Sequence, residues 1–190
     1  HNEHMRKILT LFFVVGLISA SHAQFGLRAG FSSSNFSDTN YKANPGFHGG
    51  VYYTLGTESL AIEPGVQFSQ RGFETNAIPS GAVVTESLDY VDFPLLVRLY
   101  IFPVLNVFAG PQYSKLISRK REEPGDVQTD MNVLEQNDFA GVVGISASPV
   151  PKLNLQISYD MGFSNLNYYG RNVKNQVLKL SVSFDLYSTY

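Results

Sequence analysis

The sequence predicts an all-β fold, an eight-stranded antiparallel up-and-down transmembrane β-barrel, on three observations. Eight segments alternate apolar side chains with polar or small ones at period 2, the pattern of a strand with two different faces. The connections between those segments alternate between tight and long, as in a barrel with turns on one rim and loops on the other. No segment of helical periodicity appears, and no apolar run beyond the N-terminus is long enough to cross a bilayer as a helix.

A leader precedes the strands. Met5-Arg6-Lys7 is a basic start, Ile8 to Ala20 (ILTLFFVVGLISA) is an apolar run, and Ser21-His22-Ala23 is a small-x-small cleavage site ahead of Gln24. The apolar run is shorter than the roughly 20 residues a spanning helix needs. Residues 1–23 are expected to be an export signal that is removed, with those before Met5 set aside as foreign to it. Residues 24–190 are then the barrel domain.

The strands follow in order. The first, 25–36, sets Phe25, Leu27, Ala29 and Phe31 against Gly26, Arg28 and Gly30. The second, 46–56, alternates Phe47, Val51, Tyr53 and Leu55 with His48, Tyr52 and Thr54, and the third, 60–73, alternates Leu60, Ile62, Val66 and Phe68 with Ala61, Glu63, Gln67 and Ser69. In the fourth, 86–102, Val91, Phe93, Leu95, Val97, Leu99 and Ile101 form an unbroken apolar face, while Asp92, Pro94, Leu96, Arg98 and Tyr100 form the other. The fifth and sixth, 104–118 and 138–149, are bounded by tight turns at Pro103 and Val150-Pro151. The seventh, 152–164, carries Leu155, Ile157, Tyr159 and Met161 on one face, and the eighth, 175–187, sets Leu178, Leu180, Val182, Phe184 and Leu186 against Lys179, Ser181, Ser183 and Asp185. Long polar connections fall at 37–45, 74–85, 119–137 and 165–174. Proline removes a ladder hydrogen bond, so a bulge is expected at Pro94 and at its neighbours Pro64 and Pro111.

Such a strand separates lipid from lumen, and its charges belong on the lumen side. Parity places Arg28, Arg71, Arg98 and Lys179 inside with Glu63, Asp92, Asp138, Asp160 and Asp185. An eight-stranded barrel is about wide enough for side chains to fill, and charges in that space must be paired because a stranded one costs several kcal/mol. A structural salt-bridge plug is therefore expected from Arg28, Glu63, Arg71, Asp92, Arg98, Asp160, Lys179 and Asp185. In its lower layer Glu63 and Asp185 neutralise Arg28 and Arg98, and Asp92 belongs with Arg71 in a higher one.

Composition narrows the function classes. Charged residues are only 16% of the chain and aromatics 13%, against a usual charged share of about 25%. The formal charge of −2 gives no reason to expect nucleic acid as a partner. Without cysteine there is no disulfide, thiolate metal site or cysteine nucleophile. His48 is the one histidine beyond the leader, and no catalytic, cofactor or metal residues are expected. Two alternatives stay open: a lipid-modifying outer-membrane enzyme using His48 with a serine and an acid, and a soluble lipocalin-like carrier with its apolar face turned inward. Arg119-Lys120-Arg121, read as lying in an outer loop, offers cations to lipopolysaccharide phosphates and a site for protease added to intact cells.

The stretches FGLRAGFSSSNFS (25–37), IEPGVQFSQRGFE (62–74), LDYVDFPLLVRLY (88–100), FAGPQYSKLIS (108–118) and YDMGFSNL (159–166) together resemble the PorT-type outer-membrane β-barrel proteins of Gram-negative bacteria. That resemblance implies an outer-membrane location, a last strand read by the barrel-assembly machinery and lipid as the immediate neighbour. Apart from the resemblance, the leading expectation for function is a non-enzymatic barrel that anchors or binds a partner through its extracellular loops, in an envelope or secretion assembly.

Overall fold

A computed structural model describes residues 22–37, 42–76 and 81–188. The proposed leader, apart from its last two residues, lies outside that part, as does Tyr190. The strands are β1 (His22–Phe36), β2 (Lys42–Gly56), β3 (Leu60–Asn76), β4 (Val83–Phe102), β5 (Leu105–Glu123), β6 (Asp126–Gln128), β7 (Asn137–Val150), β8 (Leu153–Gly162) and β9 (Asn175–Ser188). Neighbours pair antiparallel from β1 through β5, β5 then pairs β7, and β9 returns to β1. Eight strands thus close a barrel, as the period-2 pattern predicts. The ninth, β6, folds back on the end of β5 across the Pro124-Gly125 turn, where Gly125 has a φ of 89°.

Two expectations are corrected. The segment 119–137 is not a loop throughout, because β5 runs on to Glu123 and β6 pairs with it. Above the membrane the outer face of a strand meets water, so the apolar alternation that marks it in the sequence fades while the hydrogen bonds continue. The prolines do not bulge their strands. Between β3 and β4 the register steps from Pro64↔Leu95 to Gln67↔Asp92 unshifted, and between β4 and β5 from Pro94↔Gln112 to Val97↔Ala109 unshifted. Pro111 pairs Gly141 in a continuous β5–β7 register. A lost ladder bond is absorbed by a strand held on both sides. The β4–β5 register shifts instead at two other places: higher, where Tyr90 opposes Leu116 and Asp89 opposes Ser118, and at the short-turn end, between Tyr100 and Phe102.

The outer wall is apolar in a band. Leu95, Val97, Leu99, Val143, Ile145, Leu155, Ile157, Leu180 and Val182 are all exposed. Aromatic rings border the band toward the loops: Phe31, Phe47, Phe68, Phe93, Tyr113, Phe139 and Phe163. Phe47 lies 5.6 Å from Phe68, and Tyr113 lies 6.1 Å from Phe93 and 5.1 Å from Phe139, centroid to centroid. Exposed Phe102 and Tyr187 mark the other border, near the short turns. From Phe93 to Phe102 the strand descends roughly 23 Å along the axis, at about 3.3 Å per residue and a tilt of about 40°. That matches the ~25 Å apolar band between aromatic girdles of outer-membrane barrels. A soluble carrier with an apolar interior is the reverse of this arrangement.

Candidate functional site: a filled lumen under a loop cap

The lowest layer centres on Glu63. Arg98 donates to both its oxygens, at 2.6 and 2.9 Å, and Arg28 donates to Oε1 at 2.8 Å. Thr54 adds a hydroxyl at 3.1 Å. The arginines are satisfied elsewhere too: Arg28 by Ser183 (2.9 Å) and the Tyr52 ring (4.4 Å), Arg98 by Asn106 (2.9 Å), Gln156 (3.0 Å) and the Phe108 ring (4.4 Å). Asp185 does not join them. It accepts from the Tyr52 hydroxyl at 2.5 Å and from Asn154 at 3.4 Å. The cause is depth: Arg28 opposes Ser183, whereas Asp185 opposes Gly26, two residues nearer the short-turn rim in the same unbroken register. Gly26 has to be a glycine there, since a Cβ would stand 2.3 Å from the Tyr52 hydroxyl.

The middle layer ties Arg71 to Asp92 at 2.5 Å and to Asp138 at 3.2 Å, with the Tyr90 ring beneath the guanidinium at 4.4 Å. Lys179 donates to Asp160 at 2.6 Å and lies 3.6 Å from Asp92. Neutral donors add to the carboxylates: Gln67 on Asp92 (3.2 Å), Gln112 on Asp160 (3.1 Å) and Asn175 on Asp138 (2.9 Å). Each charged side chain of these two layers is at least nine-tenths buried. Such groups are tolerated because each is hydrogen-bonded within the lumen, although Arg71 Nε, Asp138 Oδ1 and Asp160 Oδ1 are left without a hydrogen-bond partner.

Above them the lumen turns apolar. Phe36, Phe73, Leu88, Tyr90 and Leu116 point inward from the strands, and Leu134, Leu166, Tyr168 and Val173 come down on them from the connections after β6 and β8. Arg119 and Glu86 form a buried ion pair at this level. Tyr168 donates to Glu86 at 2.7 Å, and Arg119 donates to the Tyr169 hydroxyl at 2.9 Å. Burial, then the Glu86 carboxylate, pushes the Tyr168 phenol above its ordinary range, so it stays a donor.

Neither the cap nor its latch is evident in the sequence. The bulge that leaves Ile117 outward also turns Ser118 outward, so beyond it the odd residues face in. Parity counted from the membrane face therefore assigns Arg119 to the wrong side. The cations expected to meet lipopolysaccharide phosphates have other partners: Arg119 holds Glu86, Lys120 pairs with Glu122, and Arg121 lies 2.5 Å from Glu123.

His48 faces the lumen. Its Nε2 lies 2.7 Å from Ser181 Oγ, and both residues are buried. A nucleophilic triad needs a third group orienting the imidazole, and here Nδ1 has no hydrogen-bond partner. Among the described residues no group of three or more His, Asp or Glu is placed to hold a metal.

The family model of the outer membrane protein beta-barrel domain matches residues 18–168. A search of curated protein sequences finds no match. Among solved structures, Neisserial surface protein A is similar at a TM-score of 0.60 and 14% identity, over 86% of this chain and 99% of that one. Ail of Yersinia pestis, solved with the heparin analogue sucrose octasulfate, gives 0.53 and 15%, over 86% and 99%. OprG from Pseudomonas aeruginosa gives 0.50 and 11%, over 89% and 97%. At these identities the likeness concerns the fold.

Proposed function

The chain belongs to the outer membrane protein β-barrel domain family, and on that premise we propose a non-enzymatic surface protein with a shut lumen. In this reading the leader is cleaved, the barrel sits in the outer membrane, and the outer loops bind or anchor a partner in an envelope assembly of the PorT kind. The filled lumen carries the reading. Two ion layers and an apolar plug occupy successive depths inside the barrel, which supports a closed barrel and leaves the loop crown as the working surface.

Planar-bilayer recording tests the closed lumen: the purified barrel should give no step currents, and discrete channels would overturn it. Cross-linking and co-purification from native membranes test the crown. A partner should be recovered with the native chain and lost when 165–174 is replaced by a Gly/Ser linker in a barrel that still assembles. Recovery unchanged by the replacement would overturn a role for that loop. The enzyme reading has one observation in its favour, the His48–Ser181 contact. It would require lipid A that changes on deletion of the gene and is not restored by a His48→Ala chain.

A further inference from the structure

We infer that the lumen is an aqueous dead end: water and ions of ångström size reach its middle from the short-turn rim, and the loop cap seals the opposite end. This rests on the reading of a shut lumen and says which end shuts it. Three cavities follow one another from the short-turn rim. The outermost, about 540 Å³, lies between the 56–61 and 100–103 turns, with Gln24, Thr54 and Tyr100 in its wall. Those three residues also line a second cavity of about 20 Å³. Arg28 and Gln156 are shared between that one and a third, also about 20 Å³, which reaches His48, Asp160, Lys179 and Ser181. A cavity holds a water once about 10–15 Å³ is available and polar partners surround it; every residue lining the second cavity carries a polar group, and the third sets Arg28, Gln67, Gln112 and Ser158 beside Leu96, Phe108 and Val142.

The loop side differs. Beyond Arg71 and its carboxylates the interior is the packed cluster of Phe36, Phe73, Leu88, Leu116, Leu166 and Tyr168, and an apolar interior of that kind stays dry. Water from the short-turn side also has a physical use: it solvates the Glu63 layer and lowers the penalty of burying three charges there.

The chain has no cysteine, so a single introduced thiol reports access cleanly. Ser181→Cys and Ser158→Cys place it in the wall of the third cavity; Leu88→Cys places it in the apolar cap. Barrels of known orientation in vesicles would be exposed to silver ion from one side at a time. Thiols still free are then alkylated after unfolding and counted by mass spectrometry. The thiol at 181 or 158 should react at least tenfold faster from the short-turn side than from the loop side, and the thiol at 88 should resist from both. Heat-modifiable migration confirms assembly of each variant, and either cavity position decides alone. Reaction from neither side, or from the loop side only, overturns the dead end while leaving the barrel shut. Equal reaction from both sides, with bilayer currents, overturns the shut lumen as well.

Discussion

Removing the carboxylate of Glu63 leaves two buried guanidiniums without their shared counter-charge. Glu63 is 2% exposed and receives three charge-assisted hydrogen bonds from Arg28 and Arg98. In Glu63→Ala the arginines keep Ser183, Asn106 and Gln156, which are neutral acceptors and cancel no charge. Asp185, already engaged by Tyr52, lies nearer the rim. Breaking a buried pair by deleting one partner costs about 3–5 kcal/mol. That is roughly two to four powers of ten in the folding equilibrium, at about 1.4 kcal/mol per factor of ten. The comparison is Glu122→Ala, which removes a pair with Lys120 that is half exposed on both sides and worth at most about 1 kcal/mol. The folded fraction, read from heat-modifiable migration across a urea series in the same lipid, should fall far earlier for Glu63→Ala. Coincident curves for the two variants would refute the reasoning, since they would mean that Arg28 and Arg98 lose nothing when their shared carboxylate is removed.

Four further outcomes are expected. Gly144→Ala should destabilise the barrel by about 1–3 kcal/mol, the usual cost of overpacking, because its Cβ would meet Phe108 at 2.3 Å and the Ile157 carbonyl at 2.6 Å; the urea series checks it. Arg119→Ala should free the cap, as loss of a hydrogen bond to a charged group is worth ~1.5–3 kcal/mol. Trypsin should then cut after Arg171 or Lys174 about tenfold faster. On intact cells, trypsin should cut the native chain in 165–174 and spare Arg119–Arg121, whose backbone is held in β5; cleavage confined to the short turns would reverse the orientation. Deleting Ser188–Tyr190 removes the β9 residue that pairs with Gln24 and should reduce assembled barrel in membranes, measured by the folded band on a cold gel.

Most of the barrel was legible because lipid and lumen impose opposite demands on alternate residues. Along β4, Val91 to Ile101 show this alternation without a break, and Asp92 and Arg98 could be assigned inward from parity alone. The pairing of Arg98 with Glu63 followed from counting residues up from the turns. Asp185 departs from the expected layer because it lies two residues nearer the rim than the partner of Arg28 and is taken up by the Tyr52 hydroxyl, which parity alone does not reveal. Arg119 reads as loop because the bulge at Ile117 breaks the alternation that marks the strand, which in fact runs on to Glu123. The cap was illegible because Leu134, Leu166, Tyr168 and Val173 are scattered among polar residues in aperiodic segments. Only the folded mouth shows that they share one cluster.

The inward and outward assignment of β4 underlies every other conclusion, and spin labels placed singly at Leu95, Leu96, Val97 and Leu99 in lipid bilayers test it directly. Leu96 is 3% exposed, whereas the other three are 45–50% exposed. Relaxation by dissolved oxygen should be strong at 95, 97 and 99 and weak at 96. Strong relaxation at 96 with weak values at its neighbours would turn the strand over and put Arg98 in lipid.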